Sequence, residues 1–323
     1  MKLVAYFIFA ATSLAQQPGW FSEKEYENVK VTFDYKLAQW AEASFVLRTP
    51  KIGRPIQQGV AVFLAHDFHR KPGNYTTGAL AGIEPPTKLL PPTYDKWHTV
   101  QLTLVQNRLT VHHNGELLQD TRLPVQKLSK GHLHFADLLH KYEIRNFKAT
   151  KLEATEFGDK ATYVETWSPW NLRDAGTWTT SPNSATGSNG HGINYATPNL
   201  KDFLFAVEVK STNNANGGIF FRGSANKQEN RGFEVQIYSP LDSVFPTGSI
   251  YGLARSRIAE STEGNWFYMQ VLVQGRTCTV WVNGVQIAET TDLPANLTSG
   301  QIGLQIHMEN TQVQWRNLRA LTL

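Results

Sequence analysis

The chain repeats itself. SFVLR ending at Arg48 returns as GIFFR ending at Arg222. GVAVFL from Gly59 returns as GFEVQI from Gly232, and TGALAG from Thr77 as TGSIYG from Thr247. Trp97 matches Trp266, Asn114-Gly115 matches Asn283-Gly284, and Arg145-Asn146 matches Arg316-Asn317. The order is kept throughout and every spacing lies between 169 and 174 residues. An ordered match at one spacing is the mark of tandem copies of a single fold. The copies are expected over residues 20–153 and 160–323, joined around Glu153–Lys160.

Each copy reads as β. Val29–Leu37, Ala43–Arg48, Val60–Leu64, Val100–Val105 and Leu109–Asn114 are short runs rich in β-branched and aromatic residues. So are Leu204–Lys210, Gly218–Arg222, Met269–Val273 and Thr277–Asn283. Turn residues separate them, and no window holds a capped helical period. Two all-β sandwiches are the economical architecture. Asn-Gly in each copy predicts a type I′ hairpin turn, which needs positive φ at both central residues. Trp97 and Trp266 are expected to fill the two cores. Ser181–Asn194, polar and glycine-rich, is expected to be a mobile loop overhanging any site.

With 323 residues, 41% of them hydrophobic and 18% charged, the chain can form two real cores. The net charge of +4 is dispersed, with no Lys/Arg run that would track phosphates, so nucleic acid is not an expected partner. Residues 1–15 read as a signal peptide. Lys2 is the charged start, Leu3–Ala11 the apolar run and Ser13-Leu14-Ala15 the cleavage site. The mature protein is expected to begin near Gln16 and to be secreted or periplasmic, with no membrane span after cleavage. The single cysteine, Cys278, lies among strand residues and reads as a buried thiol. Asn74-Tyr75-Thr76 and Asn296-Leu297-Thr298 are glycosylation sequons.

The copies differ in chemistry. In Gly232–Tyr238, Phe233, Val235 and Ile237 share one face and Glu234 and Gln236 the other. In Gly303–His307, Leu304 and Ile306 oppose Gln305 and His307. Alternation alone describes any half-solvated sheet. Set against the first copy, however, Glu234 becomes Ala61, Gln236 becomes Phe63, Tyr251 becomes Ala81, Gln305 becomes Ala136 and His307 becomes Leu138. The fold makes equal demands on both copies. Residues present in only one are therefore the better functional candidates. In the first copy Ala61, Phe63 and Leu138 form an apolar patch that is expected to be covered.

ANGGIFFRG, GFEVQIYS, TGSIYG, VWVNG and GQIGLQIHMENTQVQWRNLRAL resemble the 3-keto-disaccharide hydrolase domain family. The resemblance covers Tyr163–Leu323 well, and Phe21–Leu152 looks like a degenerate copy. It implies two concanavalin A-like jelly rolls and cleavage of glycosides already oxidised to a ketone at C3. The family's polar positions fall on Arg222, Glu234, Gln236, Tyr251, Gln305, His307 and Arg316. This chain departs from the family at Asn216-Gly217-Gly218, often Asn-Ser-Gly, and at Ser239, often Asp.

A ketone at C3 acidifies the C2 proton. Its removal needs a base, a donor at the enolate oxygen and an acid for the leaving group. Glu234 or His307 can be the base, Arg222 the enolate's partner and Tyr251 the acid or a stacking ring. Gln236, Gln305 and Arg316 can bind sugar hydroxyls. Arg222 and Arg316 recur as Arg48 and Arg145, which leaves a structural role open beside the functional one. A two-carboxylate glycosidase is disfavoured, since Glu234 alone stands on the floor. No cofactor is expected. His66-Asp67-Phe68-His69 and His132-Leu133-His134 lack diagnostic metal spacing, and Glu234 and His307 could share a divalent ion, which the sequence does not show. Two functions therefore compete on the same cleft: an exported enzyme acting on an oxidised glycoside, and a non-catalytic, lectin-like binder of oligosaccharides.

Overall fold

The computed structural model describes residues 20–65, 71–92, 94–123, 127, 130–139, 141–153, 162–164, 166–258 and 261–323. The signal segment, the His66–His69 cluster and most of the linker lie outside the described residues. The chain divides into two compact units. One holds Met1–Thr49 with Gly59–Asp159, the other Pro50–Gln58 with Lys160–Leu323.

The first unit is a sandwich of two antiparallel sheets. The strands Glu116–Arg122, Arg108–His113, His98–Val105, Val29–Leu37 and Tyr142–Lys151 form one sheet in that order. Val60–Ala65, Glu42–Thr49 and His132–Leu139 form the other. Phe33, Phe45, Val62, Leu102 and Phe135 meet between them. His132 and His134 put their Nδ1 atoms on the carbonyls of Ser22 and Trp20, tying the start of the unit to its sheet edge.

The second unit repeats this plan and enlarges it. Its five-stranded sheet runs Trp170–Asp174, Gly192–Leu200, Gly300–Ile306, Asn216–Gly223, Phe233–Tyr238. The eight-stranded sheet behind it is built around Gln312–Thr322, Phe203–Ser211 and Phe267–Gln274. Phe205, Phe221, Val235, Met269 and Leu304 fill the space between, with Trp167 and Trp315 wholly buried among them. This all-β, jelly-roll-like architecture is the expected one. Cys278 is a buried free thiol, and no helix among the described residues is long and apolar enough to cross a membrane.

The repeat holds at the level of single hydrogen bonds. Gly218 stands opposite Gln236 and Gln305, and Ser44 stands opposite Phe63 and Ala136. The Tyr251 amide donates to the Glu234 carbonyl as the Ala81 amide donates to that of Ala61, each at 2.9 Å. Both Asn-Gly pairs have positive φ at both residues, as type I′ turns require. Phe63 of the first copy is buried beneath the edge of Tyr75 and beside Ala79, whereas Leu138 remains 39% exposed.

Two expectations fail. Trp97 and Trp266 are not core residues. Each is half-buried and carries a guanidinium on its face, Arg145 at 3.9 Å and Arg316 at 3.8 Å from the ring centres. Ser181–Asn194 is not a loop. It supplies the strand Ser184–Ser188 and the start of Gly192–Leu200. Its glycines reflect crowding: a Cβ at Gly187 would come within 2.8 Å of Trp178 and Ile306, and one at Gly192 would meet the Ala175 carbonyl.

Candidate functional site

The outer face of the second unit's five-stranded sheet carries rows of side chains fixed by strand register. Glu234, Phe220, Gly303 and Tyr195 form one row. Gln236, Gly218, Gln305 and Ile193 form the next, which ends at Arg173. In the third, Tyr238 faces Asn216, and the His307 amide donates to the Asn216 carbonyl at 2.8 Å. The His307 ring meets that of His191 edge-on at 4.8 Å.

Glycine makes room in the middle row. A Cβ at Gly218 would lie 2.6 Å from Oε1 of Glu234. The carboxylate therefore occupies the gap above Gly218, with Gln236 and Gln305 on either side. It forms no hydrogen bond or ion pair among the described residues. Burial pushes its pKa up to about 7, against the opposing pull of the Arg231 charge. Such a carboxyl holds or releases a proton near neutrality, as a general base must. Gln236 donates Nε2–H to Asn216 Oδ1 at 3.3 Å. The carbonyl oxygens of Gln236 and Gln305 are buried without a partner, although both residues are more than nine-tenths buried. Unpaired buried carbonyls are costly and are acceptors suited to ligand hydroxyl groups.

Tyr251 borders the row. Its backbone pairing puts its side chain on the Glu234 face, 55% exposed and against Phe245, with ring centres 5.0 Å apart. His307 is exposed. Partial desolvation, then the charges of His191 and Arg231, lower its pKa. The hydroxyl of Ser239, at the position where the resembled family often has Asp, turns inward to Thr262 at 3.2 Å.

Glu234, Gln236, Gln305, His307 and Tyr251 thus share one face. Arg222 and Arg316 do not join them. Arg222 has φ +53 at a register shift, which swings its side chain out of alternation. It donates to the carbonyls of Lys201 and Leu297 and pairs with Asp202 at 3.3 Å. Arg48 does the same work in the first unit with the carbonyls of Glu27 and Gln106. Arg316 lies on the eight-stranded sheet, bound to Glu208 at 2.6 Å. Asn317 donates to the same carboxylate at 3.1 Å. Arg145 and Asn146 converge on Asp34 in the first unit. Both recurrent arginines are accounted for by these structural bonds.

Besides Arg173, which is taken up by backbone carbonyls, Arg231 brings a cation to this face that does not stand among the residues singled out from the sequence. It is exposed, makes no side-chain hydrogen bond or ion pair among the described residues, and its charge reaches both Glu234 and His307. The repeat comparison marks it, since the spacing that matches Glu234 to Ala61 matches Arg231 to Gln58, whereas strand alternation would have placed it with Phe233 on the opposite face. Among the described residues no three His, Cys, Asp or Glu side chains gather as metal ligands would.

A family model described as the 3-keto-alpha-glucoside-1,2-lyase-like domain matches residues 9–150 and again residues 157–320. No curated protein matches the chain. Among solved structures, a candidate glycosyl hydrolase from Parabacteroides distasonis ATCC 8503 is 16% identical, with TM-score 0.42. It covers 48% of this chain and 88% of its own. The carbohydrate binding module CBM66 from Bacillus subtilis is 14% identical over 48% of this chain and 97% of its own, with TM-score 0.40. A Bacillus subtilis protein of unknown function with a galectin-like fold is 11% identical over 50% and 94%, with TM-score 0.35. At these identities and scores the likenesses bear on neither ligand nor activity.

Proposed function

The chain belongs to the 3-keto-alpha-glucoside-1,2-lyase-like domain family, and from that premise we propose that its second unit cleaves glycosides carrying a ketone at C3. Glu234 takes the C2 proton. The C2–H electron pair forms the enolate, whose oxygen faces the Arg231 guanidinium. As the enolate collapses, the C1–O bond breaks and the leaving oxygen takes a proton from the Tyr251 hydroxyl. The products are an enone of the sugar ring and a free alcohol, and addition of water to the enone completes a net hydrolysis. Gln236, Gln305 and His307 bind the ring hydroxyls.

One observation carries this reading. Glu234 is an unpartnered carboxylate with its pKa pushed up to about 7, set over Gly218 between two amides with unpaired carbonyl oxygens. A binding protein has little use for a desolvated base. The same amides and the Tyr251 ring nevertheless support the alternative, a lectin-like surface for oligosaccharides. Export by the N-terminal segment is part of the same proposal.

The two readings separate on a methyl 3-keto-α-glucoside. The enzyme releases methanol and an enone that absorbs in the ultraviolet. The lectin-like alternative predicts saturable binding by calorimetry with no methanol release.

A further inference from the structure

Arg231 reaches Glu234 because of a loop, and the loop is held by an arginine at the far end of the sheet. Arg173, on the edge strand Trp170–Asp174, is more than nine-tenths buried. Among the described residues its guanidinium meets backbone carbonyls and no carboxylate. Nη1 donates to the carbonyls of Ser224 at 2.9 Å, Asn226 at 3.0 Å and Glu229 at 3.0 Å, and Nη2 to that of Lys227 at 3.3 Å. Nη1 carries two hydrogens, so one of them is shared. Four carbonyls of a single loop thus converge on one fixed, planar cation.

Two further ties bring the loop across the face. Ala225 packs with Ile193, Tyr195 and Phe220, and its amide donates to Gln301 Oε1 at 3.2 Å. The buried Tyr195 hydroxyl donates to the Arg231 carbonyl at 2.5 Å. Arg231 then leads directly into Gly232 and the Glu234 strand. The first unit's corresponding sheet, among the described residues, has three strands and none equivalent to Trp170–Asp174. The anchor occurs in the copy that carries the carboxylate.

We propose that Arg173 is a positioning residue. It clamps Ser224–Glu229 onto the sheet, holds Arg231 beside Glu234, and acts on the reaction through Arg231. The reaction itself rests on the reading above; the clamp does not.

The test uses the full chain with Arg173→Met, Arg173→Lys, Tyr195→Phe, Arg231→Met and the double variant Arg173→Met/Arg231→Met. Hydrogen exchange at residues 224–231 is expected to speed up about tenfold or more in Arg173→Met while the sheet strands keep wild-type protection. Arg173→Lys keeps the charge without the fork and is expected to fall between. Tyr195→Phe, which keeps the ring, frees the Arg231 end alone. With the Arg231 charge no longer held close, carbon NMR of the Glu234 carboxyl is expected to show a higher pKa in Arg173→Met than in wild type. On the 3-keto-glucoside, kcat is expected to fall about tenfold with KM nearly unchanged. Arg173→Met is expected to add nothing in the Arg231→Met background. Unchanged loop exchange, an unchanged Glu234 titration, or multiplicative effects in the double variant would overturn the clamp. Wild type that turns over no substrate would sink the proposed reaction, while exchange and the Glu234 titration still decide the clamp.

Discussion

The Glu234 carboxylate sits over Gly218 with no room for a methyl group beneath it: a Cβ there would lie 2.6 Å from Oε1 and 2.9 Å from Cγ. The glycine therefore seats the base in its desolvated position. In the first copy the same register position is Ser44, opposite Ala136 and Phe63, with Ala61 in place of the carboxylate.

Gly218→Ala tests this seat. The residue does not need positive φ, so alanine is tolerated by the backbone. The added methyl displaces the carboxylate toward water, and its pKa falls from about 7 toward the ordinary carboxylate range. The acidic limb of kcat/KM is expected to move to lower pH, and kcat to drop about tenfold as the base weakens. A pH–rate profile identical to wild type would contradict the arrangement.

Burial of Glu234 also has a cost in stability with a definite sign. Its folded pKa, about 7, lies above the ordinary value of 4.5. Between those two pH values the folded chain keeps a proton that the unfolded chain has released. Stability is therefore lost as pH rises through that window, and the loss is complete above about pH 7. Glu234→Gln removes this loss. The variant is expected to match wild type near pH 4.5 and to exceed it by about 1–3 kcal/mol at pH 8, by denaturant titration. A stability difference that does not change with pH would contradict the raised pKa.

Glu208 collects two donors, Nε of Arg316 at 2.6 Å and Nδ2 of Asn317 at 3.1 Å, at a register shift opposite the bulged Arg-Asn pair. Glu208→Gln is expected to destabilise the second unit by about 1–2 kcal/mol. The turnover of the folded fraction is expected to stay unchanged, because the cluster lies on the sheet behind the site. A kcat loss without loss of stability would return Arg316 to the site.

Arg222 is a stronger structural case. It is 3% exposed, and its donors go to two backbone carbonyls and Asp202. Arg222→Met is expected to cost about 3 kcal/mol in thermal unfolding, because it strips a buried guanidinium's donors from the Lys201 and Leu297 carbonyls and leaves Asp202 with the Gly275 amide but no cation. Below the new melting temperature, catalysis is expected to persist.

Much of this arrangement was legible in the sequence because strands have period two and the chain carries its own control. Comparing Gly232–Tyr238 with Gly59–Ala65 separated the wet residues from those the fold needs, and the register bears the comparison out. What stayed hidden has physical causes. Arg222, by alternation, belongs with Phe220 and Gly218, but its positive φ turns it away, and a one-letter code carries no φ. Trp97 and Trp266 read as core until their stacked guanidinium groups are seen. Arg173 comes from the edge strand Trp170–Asp174, and Tyr195 and His191 from the strand beside it and the residue before that strand, next to a glycine- and serine-rich stretch. That composition answers to crowding by Trp178, Ile306 and Ala175, a tertiary contact that local pattern cannot express.

The central claim is that Glu234 removes the C2 proton. It is tested most directly by measuring enone formation from a methyl 3-keto-α-glucoside at pH 7.5 with wild type and Glu234→Gln at matched folded concentration. The account predicts turnover by wild type and a loss of a hundredfold or more in Glu234→Gln, in line with removal of a general base. Equal turnover by the two proteins would contradict it.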